Sequence, residues 1–187
     1  MTPRPAIVAV VGMPGAGKSA AAAFFKSLGY PVVRFGAVTD QGLKEQNLPL
    51  TEANEKAFRE GLRQRLGMDA YARKVTPQVK KLLADHPLVV LDGLYSWEEY
   101  LYLKQAFPGL ILLAVYAKPP VRYARLSSRA VRPLQPDQAR LRDMAELENL
   151  NKGGPIALSD FLVQNNSTLD RFHGQLRSIL NELKISR

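Results

Sequence analysis

The octet Gly12-Met13-Pro14-Gly15-Ala16-Gly17-Lys18-Ser19 constrains this chain more than any other stretch. It satisfies the pattern G-x-x-x-x-G-K-[ST] at every fixed position, and that pattern carries weight only between a strand and a helix. Both flanks comply. Ala6-Ile7-Val8-Ala9-Val10-Val11 is a short apolar run rich in β-branched residues, the composition of a strand buried on both faces. From Ser19 to Leu28 a run of alanines, two phenylalanines and Lys26 favour a helix that stops at Gly29.

The residue types dictate a chemistry. Gly12, Gly15 and Gly17 let the backbone take conformations that a Cβ forbids and leave N–H groups open to an anion. The N-terminus of the following helix adds partial positive charge beneath phosphates. Lys18 can reach β- and γ-phosphates, and the Ser19 hydroxyl can ligate Mg²⁺. The stretch from Gly12 through Met13, Pro14, Gly15, Ala16, Gly17, Lys18 and Ser19 to Ala20 is therefore the expected ATP·Mg²⁺ site.

Downstream, strand and helix signals alternate. Tyr30 to Phe35 reads as a second strand, Leu88-Val89-Val90-Leu91 as a third, Leu110 to Tyr116 as a fourth and Asp160 to Gln164 as a fifth. Gly36 to Pro49 has no clear period and is expected as loop with a short helical piece. Thr51 caps a helix that Gly67 ends, and Asp69 caps another that is kinked or restarted at Thr76-Pro77. Further helices are expected from Ser96, Pro119 and Asp137, with Asn151 to Pro155 as a break, and the last from Ser167 or Thr168. This alternation implies α/β architecture: a three-layer sandwich around a five-stranded parallel sheet, with ligands beyond the carboxyl ends of the strands. Asp92 stands at such an end, where a carboxylate matches the second metal-binding element of phosphate-loop proteins, so Ser19 and Asp92 are the expected Mg²⁺ ligands.

Between Lys118 and Arg142 seven basic residues face a single acid, Asp137. Arg122, Arg125, Arg129 and Arg132 are spaced to share one side of a helix. Like charges so spaced repel, and a phosphate clamp explains the concentration better than a solvated face does. Arg125 and Arg129 are favoured over Arg122.

Phosphate loop, helical insertion after strand two, Asp92-Gly93 after strand three and a late arginine helix together resemble the nucleoside monophosphate kinase group. Arg125-Leu-Ser-Ser-Arg129, Arg142-Asp143 and Ile156 to Asn166 are closer still to dephospho-coenzyme A kinases and archaeal-type adenylate-kinase-related proteins. The resemblance implies one P-loop kinase domain over residues 1–187. Its core would be 6–36 and 85–187, its helical acceptor-binding insertion 37–84 and its lid about 129–142. It implies catalytic roles for Lys18, Asp92, Arg125, Arg129 and Arg142, and places Asn165 and Asn166 beside adenine. Arg34, Gly36, Asp40, Arg59, Arg63, Arg73, Gly93 and Tyr95 are the expected acceptor-binding residues.

Two departures bear on the acceptor. Relatives often carry an aspartate shortly after strand two where this chain has Ala37, and several place an arginine where Leu94-Tyr95 stands. A hydroxyl acceptor benefits from a general base, whereas a phosphate is already an anionic nucleophile. The expectation is thus an ATP- and Mg²⁺-dependent kinase acting on a nucleotide-like acceptor, with a nucleoside monophosphate ahead of a dephospho-coenzyme A-like hydroxyl.

A net charge of +9 admits another class, an ATP-binding regulatory or nucleic-acid-associated ATPase. Nucleic acid is the disfavoured partner, because the basic residues gather near the expected lid and no aromatic-rich stacking strand is present. The absence of cysteine excludes disulfides, thiolate metal sites and cysteine nucleophiles, and two histidines make a histidine metal cluster improbable. Met1 to Pro5 lacks an apolar leader and no run is long enough for a membrane span, so the expected location is cytoplasmic, without a membrane partner.

Overall fold

The computed structural model describes residues 5–130 and 133–185. Its strands are β1 (Ala6–Val11), β2 (Val32–Arg34), β3 (Leu88–Asp92), β4 (Leu110–Tyr116) and β5 (Phe161–Gln164). They form one sheet in the order β2-β3-β1-β4-β5, every pair parallel. Successive strand residues point to opposite faces, so β1 divides its side chains between two cores. Ile7, Ala9 and Val11 join Val89, Leu91, Leu112 and Ala114 on one face. Val8 and Val10 join Leu88, Val90, Leu113 and Val115 on the other. Burial on both sides is what makes these strands read as continuous apolar runs.

The second face is covered by α1 (Lys18–Ser27), through Phe24 and Phe25, and by α9 (Leu169–Glu182), through Phe172, Leu176, Ile179 and Leu180. The first is covered by α4 (Ala70–Asp85), through Tyr71, Val75 and Val79, and by α5 (Trp97–Ala106), through Leu103. Helices α2 (Gly36–Glu45) and α3 (Glu52–Leu66) complete the insertion between β2 and β3. Helices α6 (Pro119–Ser127), α7 (Pro136–Leu150) and the one-turn α8 (Gly153–Ala157) lie between β4 and β5. No helix among the described residues is long and apolar enough to cross a membrane.

Local signals explain several boundaries. The Thr51 hydroxyl accepts from Asn54 N, and Gly67 ends α3 at a φ of 92°. Ser96 and Glu99 close a full capping box at the start of α5. Three expectations need correction. Gly36 to Glu45 is a ten-residue helix, longer than the short helical piece expected within a loop. Its buried face is Thr39, Gly42 and Leu43, too polar and small to register as an apolar period. Gly42 lies so close to the Phe58 ring of α3 that a Cβ there would collide with it, so tertiary packing defines the helix. Next, of the two readings at Thr76-Pro77 the restart is excluded, because α4 continues through Pro77, with Thr76 Oγ1 donating to Ala72 O at 2.8 Å. Finally, α6 stops at Ser127, which leaves Arg129 beyond its end and off the expected arginine stripe. Val131 and Arg132 lie outside the described residues.

Candidate active site

β1 is the switch point of the sheet: β2 and β3 lie to one side of it, β4 and β5 to the other. The loop leaving its carboxyl end is the octet. Gly12 has a φ of 142°, and a Cβ there would fall on the Val115 carbonyl oxygen of β4. Gly17 has a φ of 109°, and its Cβ would strike the Asn165 side chain. Glycine is required at both positions because the loop packs directly on β4 and on Asn165, in backbone conformations that a side chain does not tolerate. α1 begins directly at Lys18 with no side-chain cap, so its first N–H groups stay open for an anion. The Lys18 ammonium donates back to Gly12 O at 2.8 Å and Met13 O at 3.1 Å. Burial, and then the nearby Lys152 charge, hold its pKa well below the usual 10.5.

Asp92 pairs in register with Val10 on one side and Arg34 on the other, which sets its carboxylate level with the loop. Burial raises its pKa, against the pull of Lys18 and Arg34. The chain's own oxygens available here are the exposed Ser19 hydroxyl and the Asp92 carboxylate. No group of three or more His, Cys, Asp or Glu among the described residues could hold a metal. That donor set fits Mg²⁺, which takes one or two protein oxygens and draws the rest from phosphates and water.

The expected arginines divide. Arg122 is buried and bidentate on Asp143, at 2.9 and 2.6 Å, and also donates to Pro14 O at 2.9 Å. It is a strut that ties α6 to α7 and to the phosphate loop, and not an exposed phosphate clamp. Arg125 stays near the loop: its Nη2 donates to Asn165 Oδ1 at 3.3 Å, while its Nη1 is buried without a hydrogen-bond partner. Asn165 Nδ2 donates to Ala16 O at 2.9 Å, so Arg125 and the loop share one side chain. An orphaned guanidinium nitrogen in this position is what a missing phosphate oxygen would leave. Asn166 is held by Lys118 N at 2.7 Å. Arg129 is exposed past α6, and Arg142 donates to Glu146 at 3.1 Å from α7.

Beside this centre lies a cavity of about 1110 Å³. Of the expected acceptor residues, Arg34, Gly36, Asp40, Arg59, Arg63 and Tyr95 line it, together with Thr39, Tyr71, Arg142 and Glu146. Gly93 and Arg73 do not. Gly93 packs behind Tyr95. Arg73 is turned away onto Asp69, 2.8 Å distant, and the Tyr102 ring. The lining holds five basic residues (Arg34, Lys56, Arg59, Arg63, Arg142) and five acidic ones (Asp40, Glu52, Glu55, Glu60, Glu146), so it is close to neutral overall. Arg34 pairs with Asp40, and Arg59 with Glu52 and Glu55. Arg63 is the least satisfied: its Nη2 lies 3.6 Å from the buried Glu99, and its Nε has no hydrogen-bond partner.

Sequence reasoning missed Lys152 and Glu146. Lys152 is 1% exposed, ion-paired with Glu146, and sits 4.7 Å from the centroid of the Tyr95 ring. The Arg142–Glu146 spacing of four on one helix was readable as a pair. Nothing in a lysine beside two glycines signals complete burial.

The chain matches the family described as AAA domain over residues 8–137. It is 33% identical over 185 residues to a UPF0200 protein of Thermococcus sibiricus, covering 97% of each chain. Its fold is that of a gluconokinase from Sinorhizobium meliloti (TM-score 0.60, 18% identity, 96% of this chain and 94% of that one). The same holds for shikimate kinase from Acinetobacter baumannii in complex with shikimate (TM-score 0.60, 15% identity, 98% and 97%). This is the α/β architecture, with helices about a five-stranded parallel sheet, expected from the alternation of strands and helices.

Proposed function

Because the chain belongs to the AAA domain family and to the UPF0200 proteins, we propose that it is an ATP- and Mg²⁺-dependent small-molecule kinase acting on a nucleotide-like acceptor. One observation carries this reading: the uncapped start of α1 at Lys18, directly behind the glycine loop, stands beside a separate, charge-lined cavity. A hydrolase acting on water has no need of the second chamber.

Ser19 and Asp92 would hold Mg²⁺, which when bound neutralises charge across the β- and γ-phosphates. Lys18 would exchange its loop carbonyls for phosphate oxygens, and the unpartnered Nη1 of Arg125 would gain an acceptor. Asn165 and Asn166 would flank adenine. Arg129 and Arg142, at the two ends of a lid over 129–142, would close on the phosphates and exclude water. Residues 37–84 would form the acceptor-binding insertion on a core of 6–36 and 85–187.

Two acceptor chemistries have support. A nucleoside monophosphate, as in adenylate kinases, is supported by Arg34, Arg59 and above all Arg63, and by the missing carboxylate at Ala37. A hydroxyl, as in dephospho-coenzyme A kinases, is supported by a carboxylate supplied from elsewhere, Glu146. A coupled assay of ADP formation across nucleoside monophosphates, nucleosides and dephospho-coenzyme A tests the proposal. Acceptor-dependent ADP formation is expected. ATP hydrolysis that no acceptor accelerates would overturn the kinase reading in favour of an ATPase.

A further inference from the structure

Among the acidic residues lining the cavity, Glu146 is singled out by its surroundings. It lies one turn after Arg142 on α7, and its carboxylate is buried. Arg142 Nε meets Oε1 at 3.1 Å, and the Lys152 ammonium meets Oε2. Lys152 does not line the cavity; it lies wholly buried behind the carboxylate, against Tyr95. Glu146 therefore has the cavity on one side and a fixed cation on the other. Its charge also acts on the Lys18 ammonium of the phosphate loop.

The remaining carboxylates are less suited. Asp40, nearest in sequence to Ala37, lines the cavity half-exposed and is paired with Arg34, whose side chain is itself largely exposed. Glu52 and Glu55 pair with Arg59, and Glu60 with Lys56, on α3; both of those cations reach solvent, whereas the Lys152 behind Glu146 is buried. Glu99 is buried in a capping box and accepts from Tyr95 N and Ser96 N at 2.7 and 3.2 Å.

We propose that Glu146 is the carboxylate that receives the proton of an acceptor hydroxyl, that Lys152 is its positioning residue, and that the acceptor is an alcohol on a nucleotide-like anion. This rests on the kinase reading above. The step needs no reactant beyond a nucleoside triphosphate. The acceptor oxygen forms a bond to the γ-phosphorus, and the bond from that phosphorus to the β,γ-bridging oxygen breaks. The electron pair leaves with the nucleoside diphosphate, and the hydroxyl proton passes to Glu146.

Burial by itself would raise the Glu146 pKa, and the Lys152 and Arg142 charges more than reverse it, so the group is ionised and ready to accept. Such a weak base suits a loose transition state, in which the attacking oxygen keeps its proton until late. A carboxylate aimed at the same place would repel an incoming phosphate nucleophile.

The test uses the full chain as wild type, E146Q, K152M, K152R and the double variant E146Q/K152M. Three quantities are read: affinity for a fluorescent ADP analogue, stability to urea, and ADP formation from Mg-ATP. The acceptors are water (the smallest hydroxyl), nucleosides and dephospho-coenzyme A, with AMP, CMP and UMP as phosphate acceptors. E146Q is expected to keep nucleotide affinity within about threefold while kcat toward hydroxyl acceptors falls by about 10²–10⁴. K152M is expected to lower kcat with KM for ATP unchanged, and K152R to restore part of it, a split that a merely structural ion pair would not give. If E146Q fails to fold with Lys152 unpaired, the double variant removes both charges and is expected to show the same kcat loss. A folded E146Q, or double variant, that transfers at the wild-type rate overturns the assignment. So does tighter nucleotide binding with transfer retained, which would make Glu146 a stand-in for phosphate. Transfer by the wild type to a monophosphate and to no hydroxyl overturns the alcohol. A wild type that binds no ADP analogue, or forms no ADP with any acceptor, overturns the kinase reading and this assignment with it.

Discussion

Arg122→Met separates a structural strut from a phosphate clamp. Arg122 is 5% exposed and Asp143 7%. The guanidinium makes four hydrogen bonds: two to Asp143, one to Pro14 O and one to Ala117 O. After the substitution the Asp143 carboxylate keeps only the Tyr123 hydroxyl, at 3.0 Å. Breaking a buried pair by removing one partner costs about 3–5 kcal/mol, mainly because a charge is left uncompensated. For a domain of this size that corresponds to a fall in Tm of roughly 6–20 °C. Urea and thermal unfolding followed by circular dichroism read the loss. The double variant Arg122→Met/Asp143→Leu removes the stranded charge and should recover most of it. Nucleotide affinity should fall as well, by about tenfold, because the Pro14 carbonyl that anchors the phosphate loop is released. A single variant that loses less than about 1 kcal/mol, or a double variant no more stable than the single, would refute the strut. Unchanged stability with lost ATP affinity would restore the clamp.

Two further outcomes follow from the loop. Gly12→Ala places a Cβ on the Val115 carbonyl oxygen at a φ of 142°, so the ADP analogue should no longer bind and unfolding should come at lower urea. Wild-type affinity in that variant would show that the close packing of the loop on β4 is not needed for binding. Lys18 titrates below its usual 10.5 when folded, so between those two values the folded chain holds fewer protons than the unfolded one and stability rises with pH. Lys18→Met should flatten that rise, read as urea midpoints from neutral pH up to 10.5, and should abolish nucleotide binding; equal slopes would refute the burial penalty.

Much of the fold was legible because its signals are local. β4 reads as Leu110–Tyr116 because it is buried on both faces, and α5 starts at Ser96 because hydroxyl and carboxylate cap each other within four residues. α2 was not legible, since its cohesion comes from Gly42 against Phe58 across two helices. The arginines show the same divide. Their spacing was plain, yet Arg122 answers to Asp143, 21 residues away, and to Pro14, 108 residues away, and no local period encodes such partners.

By itself, then, the sequence determined the phosphate loop with its flanking strand and helix, the five parallel strands, and Asp92 at a carboxyl end. All of these are written in backbone conformation and apolar period, and neighbouring residues suffice to express them. Tertiary structure alone decided the charges. It buried Lys152 behind Glu146, set Arg63 against Glu99 with its Nε unpartnered, and turned Arg73 away from the cavity. A charged side chain takes its role from its burial and its partner, and both are supplied by segments that meet only when the chain has folded.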